Sequence, residues 1–337
     1  MADQSQIQWT DATWNTVSGC TRISEGCDHC YIPRTPPFRM NHRAFDVPGI
    51  GGTTGVELHE ARLTMPLRWR NPRRVFVDSL GDLFHDDVST EHIAAVFAVM
   101  ARAERHTFQL LTKRPARMRA LLADGGLRML ESAIDEETTI ALTNTYWPLQ
   151  NVWVGVSAES QQWAEIRVPQ LLATEAAVRF VSAEPLLGPI DLRALHSGGV
   201  IDALGGDVRT TAGEVYAAAP SVVDWVIAGG ESGPDARPMS PDWARALRDQ
   251  CTAAGTAFFF KQWGEFEPTR WRGIGHERLE RHSLDGEPPR PVVQVGERLD
   301  EFGHRWLMRR VGKHAAGREL DGRTWDQYPA ARTGALA

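Results

Sequence analysis

Val75-Phe76-Val77-Asp78-Ser79-Leu80 is a short run of β-branched and aromatic residues that turns polar at its end. It reads as a buried strand. The same signal recurs at 106–112, 151–157, 178–184, 222–230 and 257–261. Helical patterns lie between these runs. Residues 90–104 carry Ile93, Val96, Phe97 and Met100 at helical spacing, with Thr90 expected as N-cap. Further helices are expected from Pro115 through Leu122, over 160–173, and over 241–254, the last opened by Ser240 with Pro241 at its first position. Strands alternating with helices make βα units and a parallel sheet. The fold expected is α/β, a full or partial β/α barrel of parallel strands; a doubly wound sheet is the second arrangement this rhythm allows.

The chain divides accordingly. Residues 1–263 form the expected barrel, with insertions at 124–150 and 197–221. From Gly264 the rhythm stops, and 264–337, with its Pro, Gly and charge, reads as a loop-rich extension packing on the barrel. Residues 7–18 read as a short strand or extended lead-in, and 57–68 as a helix ahead of Asn71-Pro72.

Between that lead-in and Val75 lies Gly19-Cys20-Thr21-Arg22-Ile23-Ser24-Glu25-Gly26-Cys27-Asp28-His29-Cys30-Tyr31. It gathers three of the 4 cysteines in a C-x6-C-x2-C spacing. Three thiolates on one loop can hold three corners of a metal centre and leave one open. A four-iron cluster fits that count. A structural zinc site needs a fourth protein ligand, for which His29 and His42 are the nearby choices. Three unligated thiols are the remaining reading. Cys251 falls on the apolar side of 241–254 and is expected in the core.

At 337 residues, 42% hydrophobic and 24% charged, the composition is that of a globular chain. No apolar run approaches the ~20 residues of a membrane helix, so no membrane partner is expected. The few clustered cysteines and polar N-terminus argue for a reducing, cytoplasmic setting. A net charge of -6 gives no bulk attraction to nucleic acid. Only three basic residues are lysines, Lys113, Lys261 and Lys313.

Six strands end on polar residues: Asp78, Ser79 and Asp82; Thr112-Lys113-Arg114; Ser157 and Glu159; Glu184; Gly229-Gly230-Glu231-Ser232-Gly233; and Lys261-Gln262. In a parallel β/α architecture these ends share one face, which carries the site. Lys113, Glu184, Glu231 and Lys261 are the expected contacts to cofactor or substrate. The glycine-rich 229–233 run offers either backbone N–H groups to a ligand or a plain turn. Arg68-Trp69-Arg70, Arg270-Trp271-Arg272 and Arg305-Trp306 interleave guanidinium with indole, a pattern suited to DNA or RNA and equally to Arg–Trp stacking on a solvated surface.

A cysteine loop ahead of successive βα units resembles the radical S-adenosylmethionine superfamily. The first gap here is six residues where that superfamily usually has three, and its usual aromatic before the third cysteine is replaced by His29, with Tyr31 just after Cys30. Trp9-Thr10-Asp11-Ala12-Thr13-Trp14-Asn15, the cysteine loop, Asp78-Ser79-Leu80-Gly81-Asp82-Leu83-Phe84, Leu111-Thr112-Lys113-Arg114-Pro115, Ser182-Ala183-Glu184-Pro185-Leu186-Leu187-Gly188 and Phe260-Lys261-Gln262-Trp263-Gly264 are together similar to the phage-associated three-cysteine-motif family.

The resemblance implies a [4Fe-4S] cluster on Cys20, Cys27 and Cys30, S-adenosyl-L-methionine on the open iron, and a reductant such as flavodoxin or ferredoxin. It implies Tyr31, Asp78, Ser79 and Asp82 near the methionine end of that cofactor, Ser157 and Glu159 near its ribose, and Gly188-Pro189-Ile190 near its adenine. The activity so implied is generation of a 5′-deoxyadenosyl radical acting on a nucleic-acid base, in modification or lyase-type repair. The competing expectation is a non-enzymatic nucleic-acid-binding protein with zinc or a cluster.

Overall fold

The computed structural model describes residues 5–133, 135–269, 292–295 and 306–330. Its central sheet has seven strands: β1 (Ala12–Trp14), β2 (Arg74–Val77), β3 (Thr107–Thr112), β4 (Val152–Ser157), β5 (Val178–Ala183), β6 (Trp225–Gly229) and β7 (Ala257–Gln262). They lie side by side in chain order, every neighbouring pair parallel. Helices α1 (Thr90–Arg102), α2 (Pro115–Leu121), α3 (Gln161–Leu172) and α4 (Pro241–Ala254) fall between strands. An order that never reverses has no switch point, so the sheet is a half-barrel and not doubly wound.

All six expected strands form, and the lead-in supplies β1. The cap of α1 is Ser89, one residue before the expected Thr90; its hydroxyl accepts from His92 N–H at 3.2 Å. Residues 57–68 do not form the expected helix. Glu57–Leu58 pairs with Val17–Ser18, and Trp14 Nε1 donates to Arg62 O at 2.8 Å. Those long-range ties leave room only for the 3₁₀ turns Glu60–Arg62 and Met65–Arg68. The 124–150 insertion folds into helices Leu127–Glu131 and Glu136–Thr143 against α1. The 197–221 insertion contributes to a four-stranded antiparallel sheet. Beyond residue 263, Phe266–Thr269, Val292–Val295 and Trp306–Arg310 form a three-stranded antiparallel sheet, and Phe266, Met308 and Leu320 join the barrel's own core.

Strand side chains alternate between faces. One set, including Val75, Val77, Leu110, Val154, Val181, Val226 and Phe258, packs with Phe97, Met100, Leu171, Leu247 and Cys251 of the helices. The other set turns inward. Trp9, Phe76, Phe180, Trp225, Ile227 and Phe259 form a separate cluster, with Trp153 and Tyr328 against it. Trp225 is its hub, with ring centres 5.6 Å from Phe180, 5.9 Å from Trp153 and 5.2 Å from Tyr328. Gly155 belongs here because a Cβ would lie 2.5 Å from the Phe180 ring. The C-terminal segment closes this end. Phe260 N–H donates to Trp325 O at 2.9 Å, and Tyr328 lies under Arg74 of β2 at 4.2 Å. A half-barrel with aromatics across its lower end leaves the upper end, at the strand C-termini, for chemistry.

Candidate functional site

Two residues above the aromatics the inward positions become polar. Phe76 gives way to Asp78, Leu111 to Lys113, Phe180 to Ser182 and Glu184, Ile227 to Gly229 and Glu231, and Phe259 to Lys261. The cysteine loop is docked over this mouth. Asp78, itself in the left-handed region at φ 55, accepts from Thr16 N–H at 2.6 Å and Val17 N–H at 2.8 Å. Burial pushes its carboxyl up to about 7, against those two N–H donors. Asn15 Oδ1 accepts from the Ser79 hydroxyl at 3.1 Å and Leu80 N–H at 2.9 Å. Asp78 and Ser79 thus hold the start of the loop.

The six-residue gap has a structural cause. Thr21 pairs with Thr53 in an antiparallel bridge, and Arg22 N–H donates to Gly52 O at 2.9 Å. Cys20 N–H donates to Thr54 Oγ1 at 3.0 Å. The chain therefore runs through a short β ladder with the 51–54 segment before the 3₁₀ turn Glu25–Cys27 returns it to the mouth.

Cys27 is buried; Cys20 and Cys30 are partly so, and all are free thiols. Arg114 Nη1 lies 3.8 Å from Cys20 Sγ, and Ser24 Oγ lies 3.7 Å from Cys27 Sγ. Burial, with the nearby Asp82 charge, pushes the Cys20 thiol up to about 12, and burial also raises Cys30. At Cys27 burial is outweighed by the Lys113 charge, backbone N–H groups and the Ser24 hydroxyl, so its thiol sits below its ordinary value. Lys113 is within electrostatic reach of all three sulfurs, and burial lowers its own pKa.

Beneath the loop runs a buried charge chain. Lys113 pairs with Glu159 Oε1, Ser24 Oγ donates to the same oxygen at 3.2 Å, and Arg167 Nη1 reaches Glu159 Oε2 at 2.9 Å. Glu159 and Arg167 are almost fully enclosed. Gly26 lies against Glu159: a Cβ there would sit 2.4 Å from its Cγ. Asp82 accepts from Thr112 Oγ1 at 2.7 Å, from Lys113 N–H at 3.2 Å and from Arg114 Nη1 at 3.2 Å, fixing the end of β3.

Glu231 latches the loop from the far side. It binds Arg237 Nη2 at 2.7 Å and His29 Nδ1 at 3.1 Å, and Arg237 Nη2 also donates to Glu25 O at 2.9 Å. Burial raises the Glu231 carboxyl, but the Arg237 and His29 hydrogen bonds bring it below its ordinary value. Gly230 N–H donates to Gln262 O at 2.9 Å and Gly233 N–H to Glu265 Oε1 at 2.9 Å, so these two amides of the glycine run are already paired. Across the mouth Lys261 Nζ lies 3.1 Å from Glu184 Oε1. The Tyr31 hydroxyl donates to Ser79 O; its burial raises its pKa, and the charges of Cys30, Glu184 and Cys20 raise it further. Ser157 ends β4 opposite Ser182, and its carbonyl accepts from Arg167 Nη1 at 2.8 Å.

Asp78, Ser79, Asp82, Lys113, Glu159 and Glu231 are thus tied to the cysteine loop or its neighbours and Glu184 pairs with Lys261, whereas Ile190, expected near an adenine, is buried in the hydrophobic core. Of the Arg-Trp stretches, the one at Trp69 lies away from the mouth, whereas Arg310 donates to Gly233 O at 2.8 Å beside the glycine run. Trp69 sits at the lower end, 5.7 Å from the His106 ring with Arg73 over it at 5.3 Å. Trp306 Nε1 donates to Asp242 Oδ2 at 2.8 Å. Arg270, Trp271, Arg272 and Arg305 are outside the described residues. Sequence reading missed Arg114, Arg167 and Arg237 as partners of the loop. Arg167 left a signal, a charge on the apolar stripe of Ala164, Val168 and Leu171.

A family model described as "Protein of unknown function (DUF5131)" matches residues 4–329. The chain belongs to this family. No curated protein and no solved structure matches it. Within this DUF5131 chain, no three His, Cys, Asp or Glu side chains among the described residues gather as ligands of one ion. No helix among the described residues is long and apolar enough to cross a membrane.

Proposed function

We propose that this protein is a radical S-adenosylmethionine enzyme whose [4Fe-4S] cluster is held by Cys20, Cys27 and Cys30. The observation that carries this reading is the docking of a three-thiol loop over the C-terminal mouth of a sequentially ordered parallel half-barrel, inside a ring of Lys113, Arg114 and Arg167. The donor set fits. Each thiolate of a cluster takes a different iron, so the three need not meet at one point, and at Cys27 the nearby Lys113 charge favours thiolate over thiol. A closed zinc site would require four donors on one ion.

When bound, the cluster and S-adenosylmethionine supply a 5′-deoxyadenosyl radical that removes hydrogen from the substrate. The chain's own residues set the stage. Asp78 and Asn15 fix where the loop leaves β1. Glu231 and Arg237 clamp its far limb. Lys113 and Glu159 tie its middle to the ends of β3 and β4. The aromatic plug keeps water from the lower end. Tyr31, Glu184 and Lys261 are the side chains proposed to contact cofactor and substrate. A reduced flavodoxin or ferredoxin serves as electron donor, and a nucleic-acid base is the substrate class carried forward.

Incubation of anaerobically reconstituted protein with dithionite and S-adenosylmethionine tests the reading. It predicts 5′-deoxyadenosine above the protein-free background, abolished by Cys27→Ala. Deoxyadenosine no higher than that background with a fully loaded cluster counts against radical chemistry; colourless protein carrying one zinc favours the non-enzymatic alternative.

A further inference from the structure

Two of the three thiols are each touched by a hydrogen-bonding side chain. Between β3 and α2, Arg114 Nη1 lies 3.8 Å from Cys20 Sγ. That guanidinium is pinned in place: Nη1 also meets Asp82 Oδ2 at 3.2 Å, and Nη2 donates to Thr21 O at 3.3 Å. Its neighbour Lys113 acts one step removed. Lys113 Nζ lies 3.4 Å from Ser24 Oγ, and Ser24 Oγ lies 3.7 Å from Cys27 Sγ. The Ser24 hydroxyl has one proton and two acceptors in reach, Cys27 Sγ and Glu159 Oε1 at 3.2 Å. Lys113 also pairs with that carboxylate, so Glu159 does not depend on the Ser24 proton, which can turn to a thiolate. The balance of charge agrees with this. Among the described residues, Lys113, Arg114 and Arg167 are paired from within only by Asp82 and Glu159; Asp86, 4.0 Å from Arg114 Nε, is exposed. Arg167 Nη2 is buried with no hydrogen-bond partner. An excess of enclosed cations is costly unless an anion joins it, and thiolates carrying a cluster are such an anion.

We propose that Arg114 at Cys20, and the Lys113–Ser24 relay at Cys27, set the reduction potential of the cluster and raise it. Hydrogen bonds to cysteine sulfur and nearby positive charge favour the more negative, reduced cluster over the oxidised one. The step they tune is a one-electron transfer: the external reductant loses the electron that the [4Fe-4S] core gains. These are positioning residues, acting through the sulfur ligands and not on substrate. The inference rests on the radical-enzyme reading for the identity of the group bound, but a potential is measured without turnover.

The test is a redox titration of the anaerobically reconstituted full chain with dithionite, followed by electron paramagnetic resonance, with iron counted on every sample. Arg114→Gln should lower the ratio of reduced to oxidised cluster at a fixed potential about tenfold, a fall of about 59 mV for a one-electron couple. Arg114→Lys keeps the charge and should recover most of that shift. Ser24→Ala should move the ratio about threefold in the same direction. It leaves the Arg114–Asp82 pair intact, so it carries the test if Arg114→Gln does not fold. Arg119→Gln removes an exposed charge of α2 that meets Gln170, and should leave the potential at the wild-type value. A loaded cluster at the wild-type potential in Arg114→Gln, or in Ser24→Ala where Arg114→Gln does not fold, would overturn the proposal and leave the radical reading standing. So would a shift in Arg119→Gln as large as that in Arg114→Gln. Wild type that takes up no cluster overturns both, and 5′-deoxyadenosine formation by the same preparation reports on the radical reading separately.

Discussion

The two ends of the half-barrel are built on the same strands and have opposite chemistry. At the lower end the inward positions are Phe76, Trp153, Phe180, Trp225 and Phe259, packed as one aromatic cluster. Further along, at or just past the strand C-termini, the chain presents Asp78, Lys113, Glu184, Glu231 and Lys261. The lower end is held by area and ring packing, which tolerates no missing volume. The upper end is held by buried ion pairs and hydrogen bonds, which tolerate no missing partner. Stability and function are thus separated along one axis, a division that single substitutions can probe.

The largest effect is expected at the hub of the plug. Trp225→Ala should cost about 4 kcal/mol in urea unfolding, and a loss below about 1 kcal/mol would mean that the lower end is not closed by this cluster. Glu159→Ala comes next. It strands Lys113 and Arg167 in an enclosed site, which should cost about 3 kcal/mol and also lower the iron retained after reconstitution. A stability loss with full iron retention would detach Glu159 from the loop. Gly155→Ala pushes a methyl into the Phe180 ring and should cost about 2 kcal/mol while leaving iron content unchanged.

The smallest effect is a pH slope. The Asp78 carboxyl is raised from 3.8 to about 7, so between those values the folded protein binds more protons than the unfolded chain. This group therefore makes stability fall as pH rises through that window. Asp78→Asn keeps an oxygen for the Thr16 and Val17 N–H groups and should flatten the slope. An unchanged pH profile of the unfolding midpoint would show that Asp78 is not the group responsible.

The same contrast explains what could be read in the sequence. Runs such as Val75-Phe76-Val77 declare strands locally, and a regular β/α rhythm leaves few topologies, so the half-barrel was legible. Polar residues at strand ends declared the mouth for the same reason. The partners were not legible, because Arg237 meets Glu25 and Arg167 meets Glu159 only through folding. The β ladder between Thr21 and Thr53 was hidden likewise, and it turns an irregular cysteine spacing into an ordinary detour. Alternation of Arg and Trp does not declare which face is free: Trp69 packs at the lower end against His106.

The central claim is that the three thiols at the upper end hold a cluster with one iron open to S-adenosylmethionine. Electron paramagnetic resonance of the dithionite-reduced, anaerobically reconstituted protein, with iron counted on the same sample, tests it most directly. About four irons per chain and a reduced-cluster signal that changes shape when S-adenosylmethionine is added are the predicted result. A spectrum indifferent to S-adenosylmethionine, or an iron content unaffected by Cys20→Ala, Cys27→Ala and Cys30→Ala, would contradict it.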